Sequence, residues 1–124
     1  MWTYVAIAIG GVFGCWGRYA MTNLIQTIYG RDFPYATLCI NVLGCFLMGF
    51  LFIETLERQT ISPALRAGIL TGFIGGFTTF STFEMETLLL VEGGSNPKAV
   101  LYVFLSLVFG FFAAFAGAYL ARNV

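Results

Sequence analysis

The amino-acid sequence predicts an all-α integral membrane protein, with four transmembrane helices in a single domain covering residues 1–124. Hydrophobic residues make up 59% of the chain and charged residues only 10%, against about 25% charged residues in a soluble domain. The mean hydropathy is +0.87. Four spans of roughly 20 residues, joined by short loops, would use nearly the whole chain.

Three prolines mark where helices begin. Each one follows a residue that can cap a helix, in the segments Asp32-Phe33-Pro34, Ser62-Pro63 and Asn96-Pro97. Proline fits the first helical turn because its missing N–H needs no partner there. Gly30 and the Gly93-Gly94 pair are suited to end the preceding helices. The predicted helices are 2–29, 34–56, 63–92 and 97–122.

Small residues recur at helical spacing on the first and last predicted helices. In lipid, such spacing allows two helix backbones to approach closely. The residues concerned are Gly10, Gly14 and Gly17 on the first helix and Gly110, Ala114 and Ala118 on the last.

The centre of the third predicted helix contains residues that interrupt a helix. Gly75 and Gly76 are adjacent, and three threonines follow them within six residues. The pattern Ser81-x-x-Glu84 then matches a capping box, which marks the start of a helix. We therefore expect the helix to stop near Gly75 and to begin again near Ser81. The alternative is an unbroken, glycine-rich helix in close contact with a neighbour.

An interruption at mid-membrane depth indicates a functional site, because unwound backbone there must be buried in protein or line a polar cavity. Free carbonyl groups at the end of the first half can hold a cation. Free N–H groups at the start of the second half favour an anion. In an antiparallel dimer, two interruptions could meet on the symmetry axis with a cation between them.

Polar and aromatic side chains near the interruption suit a small anion. Asn41 lies within the second span, where it either forms an interhelical hydrogen bond or lines a pore. Phe80 and Phe83 alternate with the hydroxyl residues Ser81 and Thr82, and aromatic ring edges carry positive partial charge. Such groups can replace the water of a strongly hydrated anion without trapping it against a full positive charge.

Other polar residues within the predicted spans have more than one interpretation. Tyr102 and Ser106 share a face of the last helix, although a serine hydroxyl can also bond to its own helix. Arg18 is expected near a vestibule, where it attracts anions or neutralises carbonyl groups. Glu86 is either a hydrogen-bond acceptor near an exit or a protonated group.

The basic residues show no bias towards one side of the membrane. With four spans, Arg58, Arg66 and Arg122 lie on one side, and Arg31, Lys98 and Arg18 lie on or lean towards the other. Cytoplasmic loops normally carry the excess of positive charge, so a balanced chain can insert in both orientations. An antiparallel homodimer is therefore plausible, although so few charges can also balance by chance.

Several classes of function are excluded by what the sequence lacks. No basic run is present, so nucleic acid is not expected as a partner. The residues offer no nucleophile–base pair and no metal-ligand cluster, so an enzyme is not expected. Cys15, Cys39 and Cys45 lie in apolar runs without a CxxC pair, which favours a packing role.

With these motifs in view, the chain resembles the Fluc (CrcB) family of bacterial fluoride channels. The segment that carries the resemblance is Gly75-Gly76-Phe77-Thr78-Thr79-Phe80-Ser81-Thr82-Phe83, which is similar to the family's G-G-x-T-T-F-S-T-F signature. The segments ending at Arg18-Tyr19 and spanning Asn41-Val42-Leu43-Gly44 are also similar, as are the length and the four-helix layout.

The resemblance implies passive fluoride export across the bacterial inner (plasma) membrane by a dual-topology homodimer with two pores. It implies a structural sodium ion at the dimer centre, held by backbone carbonyl groups near Gly75 and Thr78. The fluoride path would use the ring edges of Phe80 and Phe83 and a polar track. The track would comprise Asn41, Ser81, Thr82, Tyr102 and Ser106. Gly110 stands where other members can carry a further hydroxyl, so the outer part of the track differs here.

Two rival functions remain on the sequence alone. A small multidrug-type proton-coupled exporter is also a four-helix dual-topology dimer, but it needs a titrating carboxylate at mid-membrane. The first helix has no acidic residue, and Glu86 lies past the midpoint of its span. A structural subunit of a larger complex would not need a polar interruption in the third helix.

Overall fold

The computed structural model describes residues 1–58 and 61–124, and these residues form helices with no strand among them. The helices are α1 (Trp2–Tyr29), α2 (Tyr35–Glu57), α3 (63–77), α4 (Phe80–Glu92) and α5 (Asn96–Asn123). Together, α3 and α4 form the interrupted third helix. The observed bounds agree with the predicted ones to within one residue at each end.

Of the three expected caps, only Ser62 caps its helix through its side chain. The Ser62 hydroxyl accepts a hydrogen bond of 3.2 Å from the Leu65 N–H. No side-chain cap is present at the start of α2 or α5, so the expected roles of Asp32 and Asn96 are wrong. Asn96 is already the first residue of α5, where its backbone is helical and its side chain no longer precedes the first turn.

The helix α3 contains a π-helical stretch that the sequence did not predict. An α-helical start (Pro63–Ala67) is followed by the π-helical residues Gly68–Ile74 and a last α-helical turn (Gly75–Phe77). Such stretches are rare and are often found at functional sites. Here the π-helical stretch ends one turn before the interruption.

Backbone-to-backbone contact joins α1 to α3. A Cβ atom at Gly10 would overlap the Gly68 carbonyl oxygen, and one at Gly14 would overlap the Phe73 carbonyl oxygen. The third predicted contact residue, Gly17, faces the ring of Phe77. The predicted close contact of the first helix is therefore confirmed at Gly10 and Gly14.

A second close contact joins α2 to α5. Gly49 lies against the Ala114 carbonyl group, and Gly117 lies against the Phe46 carbonyl group. The prediction is confirmed at Ala114, and it missed the two glycines that make the contact possible. Gly110 instead faces the sulfur of Cys45.

The two chain termini, the end of α2 and the start of α3 lie at one end of the bundle. Arg122 forms an ion pair of 3.1 Å with Glu57, and Arg58 donates to the Ala121 carbonyl group. At the same end, Gly68 of α3 lies against Ala6 of α1. This arrangement agrees with a layout in which helices alternate in direction.

Large apolar side chains cover the outer surface of the bundle. Exposed aromatic residues include Phe13 and Trp16 on α1 and Phe104, Phe111 and Phe115 on α5. Soluble monomers rarely expose contiguous apolar surface of this kind. Among the described helices, α2 and α5 have the length and hydropathy of a membrane span.

Candidate functional site

The interruption of the third helix consists of two residues, Thr78 and Thr79, in extended conformations. Their backbone angles are φ −84°, ψ 159° and φ −152°, ψ 120°. The N–H and the hydroxyl of Thr78 both donate to the Ile74 carbonyl group, at 3.0 Å each. The interruption is thus confirmed, and it is shorter than the expected gap from Gly75 to Ser81.

The new helix begins with Thr79 as its cap, so the expected capping box of Ser81 and Glu84 is wrong. The Thr79 hydroxyl oxygen accepts a hydrogen bond of 3.2 Å from the Thr82 N–H. A residue in extended conformation places its side chain where it can cap the free N–H three positions later. Thr79 therefore caps α4, two residues before the predicted cap Ser81. The Thr79 hydroxyl also donates to the Thr82 hydroxyl at 3.1 Å.

Asn41 of α2 holds the interruption open through two hydrogen bonds to the backbone of Thr79. Its Oδ1 accepts from the Thr79 N–H at 2.8 Å, and its Nδ2 donates to the Thr79 carbonyl oxygen at 2.9 Å. In an unbroken helix, the Thr79 N–H would bond to the Gly75 carbonyl group. The Asn41 amide replaces this helical partner, which favours the interhelical role considered for this residue.

Carbonyl groups are left free at the end of α3. Arg18 donates from Nε to the Gly76 carbonyl oxygen at 3.2 Å, which favours its role in neutralising carbonyl groups. Within residues 1–58 and 61–124, no hydrogen-bond donor reaches the carbonyl oxygens of Gly75 and Thr78. Free carbonyl oxygens at a helix C-terminus carry partial negative charge, so their chemistry fits a hard monovalent cation.

Free N–H groups are left at the start of α4. For Phe80 and Ser81, no acceptor is found in the described part of the chain. The first N–H groups of a helix point away from it and carry partial positive charge. They therefore favour an anion close to the phenylalanine pair.

Aromatic rings extend from this helix start into the bundle. The Phe80 and Phe83 centroids lie 5.9 Å apart, and those of Phe83 and Tyr102 lie 5.0 Å apart, both in edge-to-face geometry. Phe80 is 72% exposed, whereas Phe83 and Tyr102 are 5% and 0% exposed. The ring series thus leads from the surface of the bundle to its interior.

Two cavities of about 300 Å³ each adjoin Thr79. The first is lined by Asn41, Gly44, Cys45, Met48, Ile74, Thr78, Thr79, Phe80, Phe83, Ser106 and Leu107. The second is lined by Cys15, Arg18, Tyr19, Thr22, Gln26, Thr37, Ile40, Thr79, Thr82 and Glu86. The hydroxyl of Ser106 is buried and has no hydrogen-bond partner among the described residues.

The predicted site residues are distributed unevenly over these two cavities. Asn41, Thr78, Phe80, Phe83 and Ser106 share the first cavity, and Arg18 and Thr82 share the second. Tyr102 packs behind Phe83, and Ser81 and Gly75 are exposed on the surface of the bundle.

Thr37 was not among the predicted site residues, and two roles were open for Glu86. Tyr102 donates from its hydroxyl to a carboxylate oxygen of Glu86 at 3.3 Å. Thr37 is buried and lines the second cavity together with Glu86. Because Thr37 lies one turn before Asn41 on α2, helical spacing from Asn41 would have found it.

The fold and the site together define the class: a helical protein with the apolar surface of a membrane protein and an interrupted helix beside two cavities. The model of the CrcB family, described as "CrcB-like protein, Camphor Resistance (CrcB)", matches residues 5–118. The chain belongs to this family.

Curated relatives cover nearly the whole chain. A protein of Acidithiobacillus ferrooxidans named "Fluoride-specific ion channel FluC" is 57% identical over 98% of this chain and 97% of its own length. "Fluoride-specific ion channel FluC 1" of Moorella thermoacetica is 46% identical over 96% of this chain and 85% of its own. The FluC of Geobacter sulfurreducens is 41% identical over the full length of both chains. All three relatives are named as ion channels, which are not enzymes.

Proposed function

We propose that the protein is a passive, fluoride-selective channel that exports fluoride from the cytoplasm across the bacterial inner membrane. The observation that carries the proposal is the interruption at Thr78 and Thr79, which is held open by Asn41 and joined to the rings of Phe80 and Phe83. The names of the relatives support fluoride as the ion.

Fluoride would be dehydrated by weak partners that act together. The free N–H groups of Phe80 and Ser81, the ring edges of Phe80 and Phe83 and the Ser106 hydroxyl each replace part of the water shell. No full positive charge meets the ion in the first cavity, since Arg18 lines the second cavity and bonds to the Gly76 carbonyl group. Such a path binds the ion strongly enough to admit it and weakly enough to release it.

The functional unit would be an antiparallel homodimer with two pores and a sodium ion at its centre. Gly75, Phe80 and Ser81 are exposed on one chain although they belong to the site, so a second chain is needed to enclose them. Two carbonyl oxygens per chain, from Gly75 and Thr78, would supply four oxygen ligands across a two-fold axis. Each chain would contribute one four-span channel domain comprising residues 1–124.

The primary test is fluoride efflux from liposomes that contain the purified protein. Valinomycin and internal potassium balance the charge, and chloride-loaded liposomes are the control. We expect rapid fluoride release with chloride retained and no dependence on a proton gradient. Absence of release from protein that is folded and dimeric would refute the channel.

A variant pair tests the role of the aromatic ring edges. Loss of one ring edge should slow fluoride efflux about three- to tenfold in Phe80→Met, since a favourable aromatic contact is worth about 0.5–1.5 kcal/mol. The matched control is Phe115→Met, which alters a similarly exposed ring on α5 that lines neither cavity. Equal rates of fluoride efflux through the two variants would show that the Phe80 ring does not contact the fluoride path.

The rival proton-coupled exporter is not favoured. The relatives are named as ion channels, and the Glu86 carboxylate accepts a hydrogen bond from Tyr102. Fluoride release that required an imposed proton gradient would reverse this preference.

A further inference from the structure

Two sulfur-containing side chains line the first cavity. Cys45 and Met48 lie three residues apart on α2 and border the same space. Residues at this spacing share a helix face, with about 5–6 Å between their Cβ atoms. Neither side chain has a role in the fluoride path proposed above.

Cys45 is partly buried and lines the first cavity. On its α5 side it faces Gly110, where a Cβ atom would lie 3.5 Å from the sulfur, so no side chain stands between them. The cavity also contains the buried Ser106 hydroxyl, which has no partner among the described residues. The other two cysteines are more exposed than Cys45, but neither lines a cavity together with a methionine, since Cys15 lines the second cavity and Cys39 lines neither.

Thiolate and thioether sulfur select soft cations, whereas hard cations prefer oxygen. The described part of the chain holds no group of three or more His, Cys, Asp or Glu side chains. Soft monovalent cations with a filled d shell do not need such a group, because they bind well to two sulfur atoms. A thiolate and a monovalent cation also form a neutral unit, which an apolar cavity accepts more readily than a net charge.

We propose that Cys45 and Met48 form a binding site for a soft monovalent cation such as Ag⁺ or Cu⁺ within the fluoride cavity. When the cation binds, a metal–sulfur bond forms at Cys45 and the thiol proton is released to water. The Met48 sulfur completes the coordination, and the occupied cavity no longer passes fluoride.

Binding of Ag⁺ can be measured without any assay of transport. In a Cys15→Ser, Cys39→Ser background, calorimetric titration of the detergent-solubilised protein with silver nitrate should show one Ag⁺ per chain. Adding Cys45→Ser should abolish binding. Adding Met48→Leu, which conserves volume and removes only the sulfur, should weaken binding about tenfold or more.

Two results of this titration would overturn the proposal. If Cys45→Ser left Ag⁺ binding unchanged, the ion would be bound by side chains other than Cys45. Unchanged affinity after Met48→Leu would leave a single thiol rather than a two-sulfur site. Helical circular dichroism and the elution volume of each variant show whether it is folded.

The block of transport rests on the proposed function and is measured separately. In chloride-free liposomes, silver nitrate should stop fluoride efflux through the Cys15→Ser, Cys39→Ser protein, and Met48→Leu should need about tenfold more silver. Efflux that continues while Ag⁺ is bound would refute the block. If the protein bound Ag⁺ but passed no fluoride, the proposed silver site would be supported and the proposed channel function would be refuted.

Discussion

At the residue scale, Asn41 contributes most to the local geometry of the site. Its amide supplies both a donor and an acceptor to Thr79 and so satisfies two of the backbone groups that the interruption would leave unpaired. Buried backbone groups without partners are costly in lipid. The residue therefore has a structural role whether or not its amide also contacts fluoride.

The first prediction concerns this pair of hydrogen bonds. Asn41→Ala should lower the free energy of unfolding by about 2–4 kcal/mol, because it leaves the N–H and the carbonyl group of Thr79 unpaired. Unfolding in a denaturing detergent, followed by circular dichroism, would measure the loss. Asn23→Ala, at an exposed site on α1, is the control and should change stability by less than about 0.5 kcal/mol.

A second variant separates the two roles of this side chain. Asn41→Asp keeps an acceptor for the Thr79 N–H but places a carboxylate beside the first cavity. Its loss of stability should be similar to that of Asn41→Ala, because the donor to the Thr79 carbonyl oxygen is lost and the second carboxylate oxygen faces that carbonyl, while its fluoride efflux should be lower because the negative charge repels the anion. Equal efflux in the two variants would contradict a position of Asn41 along the fluoride path.

At the scale of elements, glycine determines how closely the helices approach. The contact between α1 and α3 brings backbone atoms together at Gly10 and Gly14, and the contact between α2 and α5 does so at Gly49 and Gly117. These contacts position the interruption, because α3 is held along α1 and α2 supplies Asn41. The spacing of small residues predicted the first contact, but only part of the second.

The second contact was harder to predict because two of its glycines stand outside the small-residue pattern of the last helix. Gly49 lies on α2, and Gly117 is one residue before the expected Ala118. The facing direction of a helix depends on its partner, so spacing alone cannot select which small residue meets a neighbouring backbone.

The prediction at this scale compares two glycines on one face of α1. Gly14→Ala should destabilise the protein by about 1–3 kcal/mol, since the new Cβ atom would overlap the Phe73 carbonyl group and push the helices apart. Gly11→Ala is the matched control, because its nearest neighbour would be at 3.9 Å. The same unfolding measurement applies, and equal stability of the two variants would refute backbone contact at Gly14.

At the scale of the whole molecule, charge is balanced between the ends of the bundle. Arg58 and Arg122 are paired with Glu54 and Glu57 at the end that carries the termini. Arg58, Arg66 and Arg122 belong to this end, and Arg18, Arg31 and Lys98 lie at or lean towards the other, so the rule that positive loops stay in the cytoplasm predicts no preferred orientation. Dual topology and the antiparallel dimer follow from this balance as proposals.

The prediction at this scale is that the C-terminus faces both sides of the membrane. Val124→Cys is introduced into a chain whose three cysteines are replaced by serine. About half of these chains should react with a membrane-impermeant thiol reagent added to intact bacterial cells. Adding Thr3→Arg at the same end should lower this fraction. If either all or none of the chains reacted in both variants, dual topology would be contradicted.

Local signals in the sequence predicted the helix bounds to within one residue and the approximate place of the interruption, although Gly75 and Gly76 are helical and the interruption falls on the two threonines that follow Phe77. Proline, glycine and threonine act on the backbone of their own neighbourhood, so they mark where a helix can begin or be interrupted. The phenylalanine and hydroxyl residues after the interruption were found for the same reason, since they are adjacent in the chain.

Only the tertiary structure decided which side chains form hydrogen bonds with the backbone groups at the interruption. Asn41 is 38 residues from Thr79 and Arg18 is 58 residues from Gly76, so no local pattern reveals either hydrogen bond. The same holds for the bond between Tyr102 and Glu86 and for the cavity that brings Cys45 and Ser106 together. These contacts depend on how closely the glycines allow the helices to approach, and that distance is set by packing between helices rather than by the sequence of any one of them.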